Sequence, residues 1–282
     1  MTISDTALTS NPNAVYLGLL ELCLLGTIYS ETEEYQRVQF RRGSWQARVY
    51  APFGKLLALK SYYLHKRVPI FHNGVSWPAQ GLTMIGRNGL KNIEECLASV
   101  LRSNVPGDVI ECGVWRGGAA ILMKAILRLA GSDKQLFVAD SFCGVPKPNP
   151  RLYPADAEEE RKNAFYKYDQ LAVPLEEVQA NFRRFGLLDD QVHFLKGWFK
   201  DTLPVAPIKR LSLMRLDGDL YESTWNALVP LYPMLSPGGF CIIDDYGGIP
   251  ACRKAVEDYR KMAGIREPIV EVDSSRVFWQ RA

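Results

Sequence analysis

From Asp108 to the C-terminus, short β-branched or aromatic runs alternate with segments of helical periodicity, and this alternation constrains the fold more than any other feature. The pattern is typical of a parallel sheet covered by helices. The predicted strands are DVIECGV, QLFVADSF, VHFLKGWF, LSLMRLDGD, GFCIIDDY, PIVEV and RVFWQ. The predicted helices between them lie near Gly118–Leu129, Leu175–Phe185, Ser223–Leu235 and Ala251–Met262.

The end of the sheet differs from the rest, because only Asp273, Ser274 and Ser275 separate the last two predicted strands. So few residues cannot form a parallel crossover, and the two strands must therefore pair as an antiparallel hairpin. We predict an α/β fold with a doubly wound, mostly parallel, seven-stranded sheet whose last strand is antiparallel. Class I methyltransferases have this Rossmann-like arrangement, whereas dehydrogenase sheets usually stay parallel.

The chain is predicted to divide into an N-terminal helical extension, residues 1–105, and the sheet domain, residues 106–282. An apolar stretch at Ala14–Ile28 is interrupted by Glu21 and is too short to span a bilayer, so we expect a core or subunit-facing helix and no membrane association. Asn11 or Asn13 is placed to cap its start. Gly89–Arg102 carries one apolar stripe and should pack on the sheet domain.

Charge and cysteine content exclude several classes of protein. The 34 Lys and Arg residues nearly balance 31 Asp and Glu residues and are scattered, so nucleic acid is not an expected partner. The six cysteines lack the C-x-x-C spacing of a zinc site and are expected to be buried thiols. The first residues carry no basic flank of a secretory signal, which together with free thiols predicts a cytoplasmic protein.

A glycine-containing turn, ECGVWRGG at residues 111–118, follows the first predicted strand and leads directly into a helix. Glycines in such a turn let the backbone approach a ligand closely. If Gly113 is the glycine that makes room for a pyrophosphate in dinucleotide sites, Glu111 stands where another glycine would be. A carboxylate there suits a cationic group, such as the amino group of S-adenosylmethionine, better than a phosphate. A purely structural turn is the alternative.

The end of the second predicted strand carries an acid. Asp140 lies about 20 residues beyond the glycine turn, where nucleotide-binding sheets place the acid that binds ribose hydroxyls. Ser141 can add a hydroxyl contact. Trp198, after the third strand, offers a flat surface for adenine, with a buried packing role as the alternative.

Two pairs of aspartates end successive strands, Asp217 with Asp219 after the fourth and Asp244 with Asp245 after the fifth. Carboxylates this close raise each other's pKa, so a bound cation is the simplest reason to assemble them. All-oxygen ligands indicate Mg²⁺, with Ca²⁺ or Mn²⁺ as alternatives. Caps and salt links at strand ends are the structural alternative.

Other catalytic chemistries find less support in the sequence. His193 begins a strand, and His65 and His72 lie among basic and aromatic residues without an obvious partner, so we expect packed or solvated histidines. A Ser-His-Asp hydrolase is not indicated, because the G-x-S-x-G elbow does not occur.

Several runs together resemble the macrocin O-methyltransferase (TylF) family from about Ala14 to the C-terminus. They are WPAQGLTMIGRNGLKNIEEC, PGDVIECGVWRGGAAILMKA, FVADSFCGVPKPN, FLKGWFKDTLP, RLDGDLYESTWNALVPLYPMLSPGGFCIIDDYG and ACRKAVEDYR. The resemblance implies a class I methyltransferase that uses S-adenosylmethionine and a metal to methylate hydroxyls of natural products, typically on sugars and in some members on phenols.

The resemblance also implies a role for each matching position. Residues of the S-adenosylmethionine site would be Thr83, Met84, Glu111, Gly113, Asp140, Ser141 and Trp198. It implies Asp217, Asp244 and Asp245 as Mg²⁺ ligands and Asp219 as the general base. Mg²⁺ would lower the pKa of one or two adjacent acceptor hydroxyls, as in a sugar diol or a catechol, while Asp219 receives the proton.

The acceptor and the assembly are less closely defined by the sequence. The long connection from Cys143 to Gln191 carries several aromatic residues and is expected to form a lid or specificity insert. A sugar hydroxyl is the first expectation and a phenol the alternative. Excess apolar surface in the Ala14–Ile28 helix predicts a homodimer or higher homo-oligomer.

Two other classes of protein share part of this pattern. An NAD-dependent oxidoreductase would share the sheet and the ribose acid, but Glu111 interrupts its pyrophosphate turn and the four aspartates would be unexplained. A non-catalytic module would bind neither ligand nor metal.

Overall fold

The computed structural model describes residues 11–28, 33–37, 65–69, 78, 80–162 and 164–282. Near the N-terminus, β1 (Glu33–Arg37) pairs antiparallel with β2 (His65–Pro69). This strand pair was not predicted, because EEYQR and HKRVP carry mostly charged residues and little of the β-branched enrichment typical of strands. His72 and residues 38–64 lie outside the described residues.

The main sheet contains seven strands of the described part of the chain. They are β3 (Asp108–Cys112), β4 (Leu136–Asp140), β5 (Val192–Lys196), β6 (Leu211–Leu216), β7 (Leu235–Ile243), β8 (Val270–Glu271) and β9 (Val277–Gln280). Their order across the sheet is β5-β4-β3-β6-β7-β9-β8. The first five are parallel, and β9 runs antiparallel to both β7 and β8. The predicted sheet and its terminal hairpin are confirmed.

Helices cover both faces of this sheet. They are α1 (Pro12–Leu25), α2 (Gly86–Arg102), α3 (Gly118–Leu129), α4 (Ala157–Lys162), α5 (Leu175–Arg184), α6 (Phe199–Thr202), α7 (Tyr221–Leu231) and α8 (Pro250–Ala263). One buried cluster joins α1, α2, α3 and α5 to one face of the sheet, and a second joins α7 and α8 to the other. Val109 belongs to the first cluster and the next residue, Ile110, to the second. This alternation makes the sheet doubly wound.

The helices before the sheet pack on it. Leu90, Ile93 and Leu97 of α2 are buried in the core, which confirms the predicted apolar stripe. In α1, Asn11 caps the start by accepting the Asn13 N–H. None of the helices in the described ranges has the length and the apolar run that crossing a lipid bilayer takes.

The apolar helix α1 buries only part of its surface. Leu20 and Leu24 are buried against the core. Val15 and Leu19 remain more than half exposed, at 58% and 53%. An apolar face of α1 is therefore open in the single chain.

A long connection joins β4 to α5, as the sequence predicts. It contains α4 and three short 3₁₀ turns, at Pro154–Asp156, Phe165–Lys167 and Asp169–Leu171. On the far side of the sheet, α7 begins two residues earlier than predicted and continues as a 3₁₀ turn after Leu231. Asp156, in the connection, accepts hydrogen bonds from the first backbone N–H groups of α7.

Candidate active site

A cavity of about 390 Å³ opens at the carboxyl ends of the parallel strands. Open α/β sheets bind ligands at this edge. Where the strand order reverses, the loops after two adjacent strands run to opposite faces of the sheet and leave a crevice between them. The predicted site residues that line it are Met84, Gly113, Asp140, Ser141, Trp198, Asp217 and Asp219. Thr83, Glu111, Asp244 and Asp245 lie behind its wall and do not line it.

The turn after β3 brings two strand ends together at Gly113. Its φ is +84°, a conformation that residues with a side chain rarely adopt. The Asp217 N–H donates to the Cys112 carbonyl at 2.8 Å, and the Gly113 N–H donates to the Ala139 carbonyl at 2.9 Å. The turn is thus fastened to both neighbouring strands, and glycine is required for the backbone to pass between them.

Asp140 ties the glycine turn to the end of β4. Its Oδ2 accepts the Val114 N–H at 2.8 Å, and its Oδ1 accepts the Phe142 N–H at 2.8 Å. Burial raises the pKa of Asp140, while these two backbone donors oppose that rise. Ser141 donates through Oγ to the Gly144 carbonyl at 2.7 Å. The carboxylate faces the cavity with its orientation already fixed.

Thr83 and Trp198 differ in their exposure to the cavity. Thr83 is buried, and its Oγ1 accepts the Ile85 N–H at 3.4 Å, so this hydroxyl is hydrogen-bonded within the chain. Trp198 is partly exposed and lines the cavity just before α6. Trp198 therefore belongs to the cavity wall, whereas Thr83 does not.

Glu111 lies in β3 beneath the cavity and is only 1% exposed. Its Oε1 accepts a hydrogen bond from Arg215 Nη1 at 2.5 Å. Its Oε2 is buried and has no hydrogen-bond donor within the described residues. A buried carboxylate oxygen without a donor is costly, and a donor group of a ligand would satisfy it.

Arg215 connects Glu111 to the aspartate pairs. Through Nη2 it donates to Asp217 Oδ2 at 3.0 Å and to Asp244 Oδ1. Asp244 Oδ1 also accepts Arg276 Nε at 2.7 Å. Arg276 in turn bonds Asp273 at 2.6 Å. A chain of buried charges thus runs from β3 to the C-terminal hairpin.

The metal ligands implied by the resemblance come together. Asp217, Asp244 and Asp245 each present a carboxylate oxygen, and these three oxygens lie within 4.8 Å of one another. Asp245 Oδ2 accepts the backbone N–H of Asp219 at 3.0 Å. Asp219 adopts φ +58°, a left-handed conformation that a non-glycine residue adopts only at a cost.

The electrostatics of this cluster favour a cation. Desolvation and the neighbouring carboxylates raise the pKa of Asp217 to about 6 and that of Asp219 to about 8. The pKa of Asp245 is also raised, by burial and by Asp219. Burial acts against ionisation of Asp244 as well, but Arg215 and Arg276 hold its pKa below the usual value.

The donor set fits a divalent cation. In the part of the chain that the structure describes, Glu111, Asp217, Asp244 and Asp273 pair with two guanidinium groups, those of Arg215 and Arg276, and the carboxylates of Asp219 and Asp245 lie beside them. A divalent cation would compensate the remaining negative charge and remove the repulsion that raises these pKa values. All the side-chain donors are oxygens, as Mg²⁺ prefers.

Several residues of the candidate site are not among those predicted from the sequence. Glu222 and Asn226 of α7, and Lys147 in the connection, line the cavity. The sequence does carry a signal for Arg215, since a lone arginine inside the otherwise apolar strand LSLMRL has to be buried and paired. His193 Nε2 bonds Gln135 Oε1 at 2.8 Å and packs on Phe137, as expected of a packed histidine.

Comparisons with known proteins agree with the geometry. The sequence profile of the macrocin-O-methyltransferase (TylF) family matches residues 13–281. The chain is 42% identical to demethyldecarbamoylnovobiocin O-methyltransferase of Streptomyces niveus, over 97% of this chain and 95% of that protein. It is 54% identical to 8-demethyl-8-(2,3-dimethoxy-alpha-L-rhamnosyl)-tetracenomycin-C 4'-O-methyltransferase of Streptomyces olivaceus, over 73% of this chain and 78% of that protein.

A further relative and two solved structures extend the comparison. Mycinamicin III 3''-O-methyltransferase of Micromonospora griseorubida is 50% identical over 74% of this chain and 82% of that protein. The structure of the O-methyltransferase NovP superposes with a TM-score of 0.76 at 42% identity, over 96% of this chain and 99% of that one. The calicheamicin methyltransferase CalS11, with a TM-score of 0.52 at 18% identity over 96% of this chain and 93% of that one, shares the fold.

Proposed function

Because the chain belongs to the macrocin O-methyltransferase (TylF) family and is an O-methyltransferase, we propose that it methylates a sugar hydroxyl of a glycosylated natural product. The methyl donor is S-adenosylmethionine, and Mg²⁺ is required. The single observation that carries this proposal is the acidic cluster of Asp217, Asp244 and Asp245 beside the cavity formed by Gly113 and Asp140.

The side of the cavity near β3 and β4 binds the methyl donor. Gly113 leaves space for the ligand at the turn, and Asp140 accepts the ribose hydroxyls. Met84, Ser141 and Trp198 complete this wall, with the Trp198 ring against the adenine. Thr83 supports the wall from behind. Glu111 offers its donor-free Oε2 to the amino group of the donor from beneath the cavity.

The side of the cavity near β6 and β7 carries the chemistry. Asp217, Asp244 and Asp245 would hold Mg²⁺, which when bound acts as a Lewis acid on the acceptor hydroxyls. Asp219 lines the cavity beside them, and its backbone is fixed by its hydrogen bond to Asp245. Asp219 takes the proton from the acceptor hydroxyl as that oxygen displaces the methyl group in line from the sulfonium sulfur of S-adenosylmethionine, which leaves as S-adenosylhomocysteine.

The acceptor wall supports a hydroxyl-rich substrate. Lys147, Glu222 and Asn226 line the same cavity as Asp219 and contribute charged and amide groups to it. Such groups recognise sugar hydroxyls by hydrogen bonding. The relative from Streptomyces olivaceus, whose name specifies a rhamnosyl group, supports the same acceptor class.

We also propose that the chain is a cytoplasmic homodimer or higher homo-oligomer. The open apolar face of α1, with Val15 and Leu19, supports burial against a second copy. All six cysteines have free thiols, as is usual for proteins of a reducing compartment. Neither nucleic acid nor a membrane is part of the proposal.

A thermal-shift screen with S-adenosylmethionine, NAD and Mg²⁺ tests the donor assignment, since only a form that binds a ligand is stabilised. We expect stabilisation by S-adenosylmethionine and Mg²⁺ but not by NAD. Methyl incorporation into a panel of methyl glycosides, including methyl α-L-rhamnoside, and catechol then tests the acceptor. Transfer to catechol alone would replace the sugar by the phenol alternative. Stabilisation by NAD alone would contradict the proposal.

A further inference from the structure

The helix that follows the catalytic aspartate lacks a cap of its own. α7 begins at Tyr221, and the preceding residue, Leu220, has no side-chain oxygen to accept the first backbone N–H groups. Unsatisfied N–H groups at a buried helix start are destabilising, and a polar side chain normally accepts one of them. The partner must therefore come from elsewhere.

Asp156 supplies this cap from a distant part of the chain. Its Oδ1 accepts the Tyr221 N–H at 2.6 Å, and its Oδ2 accepts the Glu222 N–H at 3.1 Å. The Asp156 side chain is completely buried. An anionic group at this position also interacts favourably with the positive end of the helix dipole. Both carboxylate oxygens are thus committed to the start of α7.

Asp156 belongs to the connection between β4 and α5, whose two ends form a wall of the cavity. Val145 and Lys147 line the cavity before Asp156, and Leu171 lines it after Asp156. The second end is held separately, by the Trp115 Nε1–H that donates to the Gln170 carbonyl at 2.9 Å. The Asp156 cap fastens the middle of this wall to the helix on the acceptor side.

The segment held by Asp156 includes the residues that face the acceptor. Glu222, whose N–H is capped, lines the cavity. Asp219 stands two residues before Tyr221 with a left-handed φ of +58°. Its backbone N–H is held by Asp245 on one side, and the capped start of α7 holds the chain on the other. A strained conformation persists only where its surroundings hold it.

We propose, on the premise of the methyl transfer described above, that Asp156 is a positioning residue for the reaction. By capping α7 from the connection, Asp156 holds Asp219 at the acceptor oxygen and keeps the cavity wall of Val145, Lys147 and Leu171 at the start of α7. Asp156 itself touches neither substrate. Its loss therefore affects turnover more than the binding of the methyl donor on the opposite side of the cavity.

The test compares Asp156→Ala and Asp156→Asn with the wild-type full chain. We measure kcat and KM with the most active acceptor of the glycoside and catechol panel, and the affinity for S-adenosylhomocysteine by calorimetry. Asp156→Ala removes both acceptors and should lower kcat about tenfold, in line with the loss of a helix cap. Asp156→Asn keeps one side-chain oxygen and should recover part of this loss, because asparagine caps helices nearly as well as aspartate.

Tyr221→Phe is the matched control at the same helix turn. It removes the hydrogen bond from Tyr221 Oη to Asp258 but leaves the capped backbone N–H and the ring in place. We expect unchanged kcat in this variant and unchanged S-adenosylhomocysteine affinity in all three.

Each outcome decides the proposal. Unchanged kcat in Asp156→Ala, or an equal loss of cofactor affinity and kcat, would overturn it. If Asp156→Ala does not fold, Asp156→Asn decides, with a kcat reduced by roughly threefold expected for one lost hydrogen bond and an unchanged kcat contradicting the role. A wild-type chain that methylates no member of the panel would instead refute the proposed function, and the role of Asp156 with it.

Discussion

The backbone carbonyl oxygen of Asp217 lies 1.8 Å from the point where a Cβ atom on Gly113 would stand. No residue with a side chain fits there unless the ends of β3 and β6 move apart. Those two strand ends carry the proposed donor site and the proposed metal site. A single glycine therefore sets the spacing between the two halves of the cavity.

Replacing Gly113 by alanine should separate these halves. Gly131 provides the control, because its φ of +60° is also positive but no atom lies within 4 Å of its added Cβ. We expect Gly131→Ala to lower the free energy of unfolding by about 1 kcal/mol. Gly113→Ala adds the clash and should cost about 3 kcal/mol or more. Urea unfolding of the two variants measures both values, and equal values would show that the close approach carries no cost.

Removing Asp140 should weaken binding of the methyl donor. Asp140→Ala takes away the proposed ribose acceptor and should cost about 1 to 3 kcal/mol of S-adenosylmethionine binding. Asp108→Ala is the control, because Asp108 Oδ1 also accepts a backbone N–H, from Gln135 at 2.9 Å, at the other end of the sheet. Calorimetry should show a loss of affinity only for Asp140→Ala. Unchanged affinity in that variant would contradict its placement.

Chelation should abolish turnover, and Mg²⁺ should restore it. Each proposed ligand already gives one oxygen to the protein: Arg215 donates to Asp217 and Asp244, and the Asp219 N–H donates to Asp245. If the other oxygen of each binds the metal, the coordination is monodentate, which suits Mg²⁺ better than Ca²⁺, since Ca²⁺ takes more ligands and often binds both oxygens of a carboxylate. After EDTA treatment and dialysis, Mg²⁺ should restore more activity than Ca²⁺. Full activity after exhaustive chelation would refute the metal assignment.

Replacement of Asp219 and replacement of Asp217 should have different effects on the rate and on Mg²⁺ affinity. Asp219→Asn keeps size and polarity but cannot take the proton, and should lower the rate by roughly 10² to 10⁴ while Mg²⁺ affinity changes little. Asp217→Asn should weaken Mg²⁺ binding as well. Higher pH should partly rescue Asp219→Asn, because an acceptor that is already deprotonated needs no base. Metal titration beside single-turnover methyl transfer separates the two, and normal transfer by Asp219→Asn at saturating Mg²⁺ would make Asp219 a ligand instead.

A charge on the open face of α1 should dissociate the proposed oligomer. Leu19→Lys places an ammonium group on that face, where burial against a second copy would become costly. Val205→Lys is the control, because Val205 is an apolar residue that is 80% exposed elsewhere. Light scattering at micromolar concentration should detect a monomer only for Leu19→Lys. A monomeric wild-type chain would rule out the proposed assembly.

The main sheet could be predicted because its signals are local. Runs such as CIID and LFVAD are apolar enough to be buried on both faces, and the short spacing around Ser274 leaves only a hairpin. The pair β1–β2 escaped prediction because its pairing is long-range and its residues are polar. The start of α7 was misplaced for a similar reason, since Asp156, which caps it, is far away in sequence.

The acidic cluster was predictable and its counter-charges were not. Asp217 and Asp244 follow strands of one parallel sheet, so their meeting at one edge is a consequence of topology. The pairing of Arg215 with Glu111 and of Arg276 with Asp244 depends on side-chain direction within the packed sheet. The sequence pattern gives only the position of each residue along its strand, and not the rotamer that completes the contact.

The buried charges beneath the cavity and one of its walls come from different parts of the chain. This separation affects how related enzymes acquire different acceptors. Beneath the cavity, Glu111, Arg215 and Asp244 form a set of mutually dependent buried charges in which a single replacement leaves another charge uncompensated. The wall formed by Val145, Lys147 and Leu171 belongs to a surface segment outside that set. Grafting that segment from a relative, with Asp156 retained as its anchor, would exchange the acceptor while the methyl-transfer chemistry is inherited intact.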